Sequence, residues 1–224
     1  MKYNKDIWDK NELPEFDNLK GKTSEVETTK KEQTMSPPSP FNLTTLQTEA
    51  YKHYGIPPAR TLQIAQGLYL NGLISYPRTS SQKLPPSIGY KKILYKLANM
   101  YKTEKLIKRD KPVEGKKSDP AHPSIYPTGE TMVLAGEDSK IYDLVVRRFL
   151  SLFCENAIIE NKKIQAEVAS EEQREKTYKF STRGKSIKKK AWLEIYPSKL
   201  KEEQIPDING QREILDIRNE EKET

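Results

Sequence analysis

The chain has 224 residues, 34% hydrophobic and 32% charged, enough for one large or two small domains with a modest core and a wide polar surface. Lysine and arginine outnumber aspartate and glutamate by 39 to 32, which suits a polyanionic partner such as nucleic acid or simply a basic, soluble surface. A single cysteine excludes an internal disulfide, two histidines are too few for a zinc centre, and the chain has neither a GxxxxGK(S/T) phosphate loop nor an apolar run of about 18 residues.

Residues 1–36 are polar and are expected to form an extended arm with Ile7, Trp8, Leu13 and Phe16 as scattered anchors. The run SPPSP at 36–40 ends it, because proline holds itself and its predecessor in extended geometry. In FNLTTLQTEAYKHYG, Leu43, Leu46, Ala50 and Tyr54 recur at helical spacing, with Asn42 or Thr44 as the cap and Gly55 as the stop. PPARTLQIAQGLYLNG repeats the pattern, with Leu62, Ala65, Leu68 and Tyr69 on one face and Gly72 at the end. Two short helices around a tight Gly55–Pro58 connection predict a helix-turn-helix arrangement, a geometry that many proteins use without touching DNA.

Leu73 to Tyr76 reads as a short strand halted by Pro77. Residues 85–101 predict an amphipathic helix with Ile88, Ile93, Leu94 and Leu97 inward, followed by a basic, irregular stretch from Lys102 to Lys117. DPAHPSIYPTGE, 119–130, predicts a rigid loop around His122. Ile141, Leu144, Val145, Phe149 and Leu152 mark another helix over 139–156, and Cys154 within that apolar pattern reads as a buried structural thiol. Then the period changes: KKIQAEVAS, TYKFSTRG and AWLEIYP alternate as antiparallel strands do, with one more strand around Ile214–Ile217.

The residues with chemical potential are Tyr76, Arg78 and His122. A phenol is a poor nucleophile at neutral pH, since its ordinary pKa is about 10, and positive charge nearby is needed for attack at phosphorus. Arginine serves best because its planar fork matches phosphate oxygens. On a continuous strand Tyr76 and Arg78 would share one face, about 7 Å apart at the backbone. A Y-x-R triplet is common, so spacing alone leaves Tyr76 either a nucleophile or a surface aromatic beside a turn. His122 offers a donor to phosphate or a solvent contact; Lys83, Lys91 and Lys92 track a DNA backbone or form a solvated face; Ser80 and Ser81 contact phosphate or close the turn.

Taken together, PFNLTTLQTEAY, ARTLQIAQGLYLNGLISYPRTSSQKLPPSIGY and DPAHPSIYPTG resemble the type IA DNA topoisomerases, in particular the archaeal topoisomerase I branch, over residues 37–155. The long pattern AQ-x-LY-x-x-G-x-I-S/T-Y-x-RT carries the resemblance. It implies that Tyr76 attacks a single-stranded DNA phosphodiester to give a 5′-phosphotyrosyl link, with Arg78 beside the scissile phosphate and no ATP required. It further implies DNA contacts from His122, Lys83, Ser80, Ser81, Arg60 and Gln66, while Gln47 and Gln66 also suit structural roles. Many family members carry aspartate where Ser80 stands and arginine where Tyr126 stands.

The family's Mg²⁺ site lies in a Toprim domain with a D-x-D pair, and these residues contain no D-x-D. The resemblance therefore implies an α+β fragment: a helical module of helix-turn-helix or winged-helix-like character (37–156) attached to a β-rich arch formed by 1–36 and 157–224. Its implied partners are single-stranded and negatively supercoiled DNA and the Toprim-containing part of the enzyme, with no membrane, in the cytoplasm on the nucleoid. By itself the fragment is expected to be inactive. A non-catalytic single-stranded DNA-binding module with the same fold is the alternative. A site-specific tyrosine recombinase fits less well, since that layout needs several separated arginines and a tyrosine near the C-terminus.

Overall fold

The computed structural model describes residues 1–169 and 177–220. Two compact units emerge, one from Met1–Gln33, Ile159–Lys188 and Leu200–Thr224, the other from Thr34–Ile158 and Lys189–Lys199.

The first unit carries β1 (Lys2–Tyr3), α1 (Leu13–Asp17), β2 (Thr23–Met35), β3 (Ala157–Ala169), β4 (Thr177–Lys189) and β5 (Gly210–Glu213). Among the described residues these strands make one sheet in the order β1-β4-β3-β2-β5. β1 pairs antiparallel with β4 through Tyr3 and Phe180, and β5 antiparallel with β2 from Thr23 opposite Glu213 to Val26 opposite Gly210. Its apolar material is thin, as the composition requires. Phe16, Leu19, Val168 and Tyr178 form one cluster, and Val26, Ile164 and Ala166 another.

Within the expected arm, Lys2–Tyr3 and Thr23–Met35 are strands of this sheet. Trp8, expected as an anchor, is 84% exposed. The last strand runs over Gly210–Glu213. Ile214 N still donates to Lys22 O at 2.9 Å and Ile214 O accepts from Gly21 N at 2.8 Å, and the Ile214 and Ile217 side chains pack beside Phe16 and Leu19. Ser170, the end of the expected KKIQAEVAS strand, lies outside the described residues.

The second unit holds α2 (Leu43–Tyr54), α3 (Pro58–Leu70), α4 (Tyr90–Met100) and α5 (Gly136–Ser151). α2 starts where the local chemistry dictates. The Asn42 side chain accepts from Thr45 N at 2.9 Å while Asn42 N donates to Thr45 Oγ1 at 3.1 Å, a reciprocal capping box worth about 1 kcal/mol. It stops at Gly55, whose φ of 68° lies in the left-handed region that glycine adopts without strain. Gln47 Nε2 donates to Pro58 O across the turn, a structural role that fixes α3 against α2. α5 packs against the other three helices and buries Ile141, Leu144, Val145 and Phe149 in one core with Leu46, Leu68, Leu94 and Leu97. Cys154 is fully buried there, and burial pushes its thiol up to about 12, so it is inert at neutral pH.

AWLEIYP, read as a strand, is instead a 3₁₀ turn over Ala191–Glu194. Trp192, Ile195 and Tyr196 are all buried in the helical core, and Trp192 Nε1 donates to Met35 O at 3.0 Å. An irregular turn puts three large side chains on one side, which an alternating strand cannot do.

Tyr196 joins a buried polar cluster. Arg148 donates to Ser39 O and to the Tyr196 hydroxyl, at 3.2 and 2.7 Å, with its guanidinium 4.2 Å from the Phe41 and Tyr196 ring centres. The Tyr196 hydroxyl donates to Glu49 at 3.0 Å, and His53 Nε2 lies 3.1 Å from the same carboxylate. Burial pushes the Glu49 carboxyl up, but the Tyr196 hydroxyl, Arg148, Lys52 and His53 outweigh it and hold the group below its ordinary 4.5. A depressed carboxyl stabilises the fold fully above its unfolded pKa, and that contribution is lost as pH falls through the folded value. The thermal midpoint of the helical unit should therefore fall more steeply below about pH 4.5 in the wild type than in Glu49→Gln. Equal slopes in a pH-dependent melting series would show that Glu49 carries no such linkage.

Candidate active site

The segment carrying Tyr76 is set by the end of α3. Gly72, at φ 71°, turns the chain back, and Leu73 N donates to Leu68 O at 2.9 Å. Leu73 and Ile74 are each 1% exposed and anchor the segment in the core. Beside it runs the loop after His122: Ser75 N donates to Tyr126 O at 2.9 Å, Thr128 N to Leu73 O at 3.0 Å, and Tyr126 N to Ser75 Oγ at 3.0 Å. The ladder is a single bridge, Ile74 with Pro127. Tyr76 is therefore the first residue beyond a two-sided grip, half-buried and next to a bend at Pro77. That bend breaks the continuous strand on which the shared face of Tyr76 and Arg78 was expected.

Two aromatic rings contact Tyr76. The His122 ring lies 4.8 Å away, centre to centre, and the Tyr69 ring meets it edge-on at 5.4 Å and 75°. Edge-to-face contacts are favourable and directional, so they restrict where the phenol ring can go. Tyr69, expected inward with Leu68, is instead 38% exposed at the last turn of α3.

The loop 77–81 is fastened on its far side. Leu43 N donates to Thr79 O at 3.1 Å, and Asn42 Nδ2 to Ser80 O at 3.2 Å. Asp119 then ties this loop to His122. It accepts from Ala121 N and His122 N at 2.9 and 3.2 Å and from Ser80 Oγ at 3.3 Å. The Ala121 and His122 amides, first among these partners, hold the Asp119 carboxyl below its ordinary 3.8. A carboxylate thus reaches Ser80 from the neighbouring loop.

The expected site residues divide accordingly. Tyr76, His122 and Ser80 are brought together through ring contact and Asp119. Arg78 is exposed, and among the described residues no hydrogen bond or ion pair engages its guanidinium. Ser81 is 1% exposed, its hydroxyl accepting from Lys83 N. Lys83 pairs with Glu114 at 3.2 Å. Arg60, in the first turn of α3, pairs with Glu137 at 2.7 Å and donates to Gln63. Gln66 is half-buried, and its Oε1 has no partner among the described residues. Tyr69, expected only as part of the inward face of α3, and Asp119 are not among the site residues the sequence points to. Asp119 had a legible signal, since an Asp with free amides two and three residues on forms an Asx-type turn.

No group of three or more His, Cys, Asp or Glu side chains among the described residues is arranged to hold a metal ion. Magnesium needs several oxygen ligands in near-octahedral geometry, so these residues do not fit it.

This architecture has a known counterpart. The fold matches that of full-length topoisomerase I from Thermotoga maritima with a TM-score of 0.66 at 21% identity, over 94% of this chain and 36% of that one. The DNA topoisomerase family model matches residues 2–224. DNA topoisomerase 1 of Methanothermobacter thermautotrophicus is 45% identical over 87% of this chain, and that of Pyrococcus horikoshii 42% identical over 87%. The chain belongs to the type IA DNA topoisomerases, in the archaeal branch. It spans 27% and 29% of the length of those two relatives.

Proposed function

We propose that the chain is the strand-cleaving segment of a type IA DNA topoisomerase, its helical unit the tyrosine-bearing domain III and its β-rich unit part of the domain II arch. The Tyr76 oxygen attacks a phosphodiester of single-stranded DNA. An oxygen–phosphorus bond forms to the 5′ side, the bond to the 3′ oxygen breaks, and the phenol proton is exchanged for one on the departing 3′-hydroxyl. The reverse attack reseals the strand, changing the linkage of negatively supercoiled DNA. Bond energy is conserved in the phosphotyrosyl link, so ATP has no role. The observation that carries this reading is the contact of the Tyr76 ring with the His122 and Tyr69 rings; two residues on in the chain, Arg78 is exposed and has no partner among the described residues.

Such an enzyme would act on the nucleoid, with Mg²⁺ supplied by a Toprim domain. The residues described here bind and align the strand and provide the nucleophile. The test is label transfer after denaturation, with a Toprim domain and Mg²⁺ added. A 3′-end-labelled single-stranded oligonucleotide should become attached to the chain, while a 5′-end label should be released. Attachment of the 5′ label would reverse the polarity and refute the assignment. Binding with no transfer of either label would favour the non-catalytic module. The 224 residues alone should not relax supercoiled plasmid.

Two variants refine the site. Arg78→Ala should slow transfer by about 10²–10³-fold, the loss typical of a removed oxyanion donor. Arg78→Lys should recover only part, since an ammonium lacks the planar fork. Tyr69→Ala should slow transfer by roughly three- to tenfold, the size of one aromatic pair, and Tyr69→Phe should restore it. A Phe variant as slow as Ala would assign the effect to the Tyr69 hydroxyl instead of its ring.

A further inference from the structure

Away from Tyr76, the outer face of α4 and residues 104–110 enclose an open cavity of about 360 Å³, within the size range of small-molecule sites. Its lining combines apolar Leu94 and Ile107 with Tyr95, a residue 69% exposed. Lys91, Lys108 and Arg109 supply positive charge. Arg109 is pre-organised: Nε donates to Cys154 O at 2.8 Å and Nη2 to Asn156 Oδ1 at 2.7 Å. Its Nη1 has no hydrogen-bond partner among the described residues. The backbone beneath is rigid, because Lys108 N and Arg109 N both donate to Phe153 O, at 2.9 and 3.0 Å.

We propose that this cavity is a second, non-catalytic site that takes one nucleotide of single-stranded DNA. The base would stack on Tyr95 and the phosphodiester would sit at Arg109 and Lys108. Stacking on an exposed aromatic tolerates any base, and a guanidinium fixed by protein acceptors loses little further freedom when it meets phosphate. Glu104 and Asp110 also line the cavity, and Lys91 pairs loosely with Asp110 at 3.8 Å. Three cations against two carboxylates leave one net positive charge, matched to an internal phosphodiester and poorly matched to a doubly charged terminal phosphate. The site does not depend on strand cleavage at Tyr76.

The experiment is NMR titration of the ¹⁵N-labelled chain with oligothymidylate, thymidine 5′-monophosphate and inorganic phosphate. Oligothymidylate should shift the amides of Leu94, Tyr95, Ala98 and residues 107–110, more tightly than the monophosphate does and less tightly as salt rises. Tyr95→Ala and Lys108→Glu, both at exposed positions, should each weaken that response about tenfold or more. Tyr76→Phe should leave it unchanged. Shifts confined to the surroundings of Tyr76 and His122, or an inorganic-phosphate response equal to that of oligothymidylate and indifferent to Tyr95→Ala, would overturn the proposal.

Discussion

Replacing Tyr76 by phenylalanine is expected to abolish label transfer to the chain while leaving its fold and its single-stranded DNA binding intact. The substitution removes one oxygen. It keeps the ring that meets His122 and Tyr69, and it leaves the buried Leu73 and Ile74 that fix the backbone. The unfolding midpoint should therefore move by no more than about 0.5 kcal/mol, the usual range away from core and cap positions. The chemical effect should be complete because neighbouring hydroxyls are occupied. Ser75 Oγ donates to Ser124 O and accepts from Tyr126 N, while Thr79 Oγ1 accepts from Ser81 N. Tyr69 is the rival, an exposed phenol in contact with the Tyr76 ring. Mass-spectrometric mapping of the nucleotide-bearing peptide separates the two. An adduct persisting in Tyr76→Phe and mapping to Tyr69 would move the nucleophile seven residues upstream.

Much of the helical unit was legible in the sequence because its signals are local. Asn42 and Gly55 bound α2 through cap chemistry that acts within one turn, and the apolar spacing of α5 survives intact as its buried face. Signals that depend on distant partners were read less well. AWLEIYP alternates like a strand, yet the core takes Trp192, Ile195 and Tyr196 together, and tertiary burial overrides the local pattern. Tyr69 follows Leu68 in sequence but sits about 100° further round the helix, so in the final turn Leu68 is 2% exposed while Tyr69 is 38% exposed. The Y-x-R triplet was weak as geometry, since the bend at Pro77 breaks the strand that would have aligned it. What singled out Tyr76 was the long motif around it, and the structure adds the two rings and the Asp119 turn.

Arg148→Ala is expected to cost the helical unit about 3–5 kcal/mol, the range for breaking a buried charged pair. Arg148 is 5% exposed, and burial lowers its pKa against the opposing pull of Tyr196 and Glu49. Its partners come from separate stretches of the chain: Ser39 and Phe41 ahead of α2, Glu49 within α2, and Tyr196 in the returning segment. Truncation would orphan the Ser39 carbonyl, empty the slot between the Phe41 and Tyr196 rings, and strip Glu49 of one counter-charge. The Glu49 side chain is still 19% exposed and keeps Lys52 and His53, which places the loss toward the lower end of the range. Arg148→Lys should recover little, because an ammonium has no plane to lie between two rings. Urea unfolding followed by helical circular dichroism measures this. Arg148→Met combined with Glu49→Leu should lose less than the sum of the two single changes, since the pair then leaves no uncompensated charge behind. Strict additivity would show instead that Arg148 acts through its packing against the rings alone.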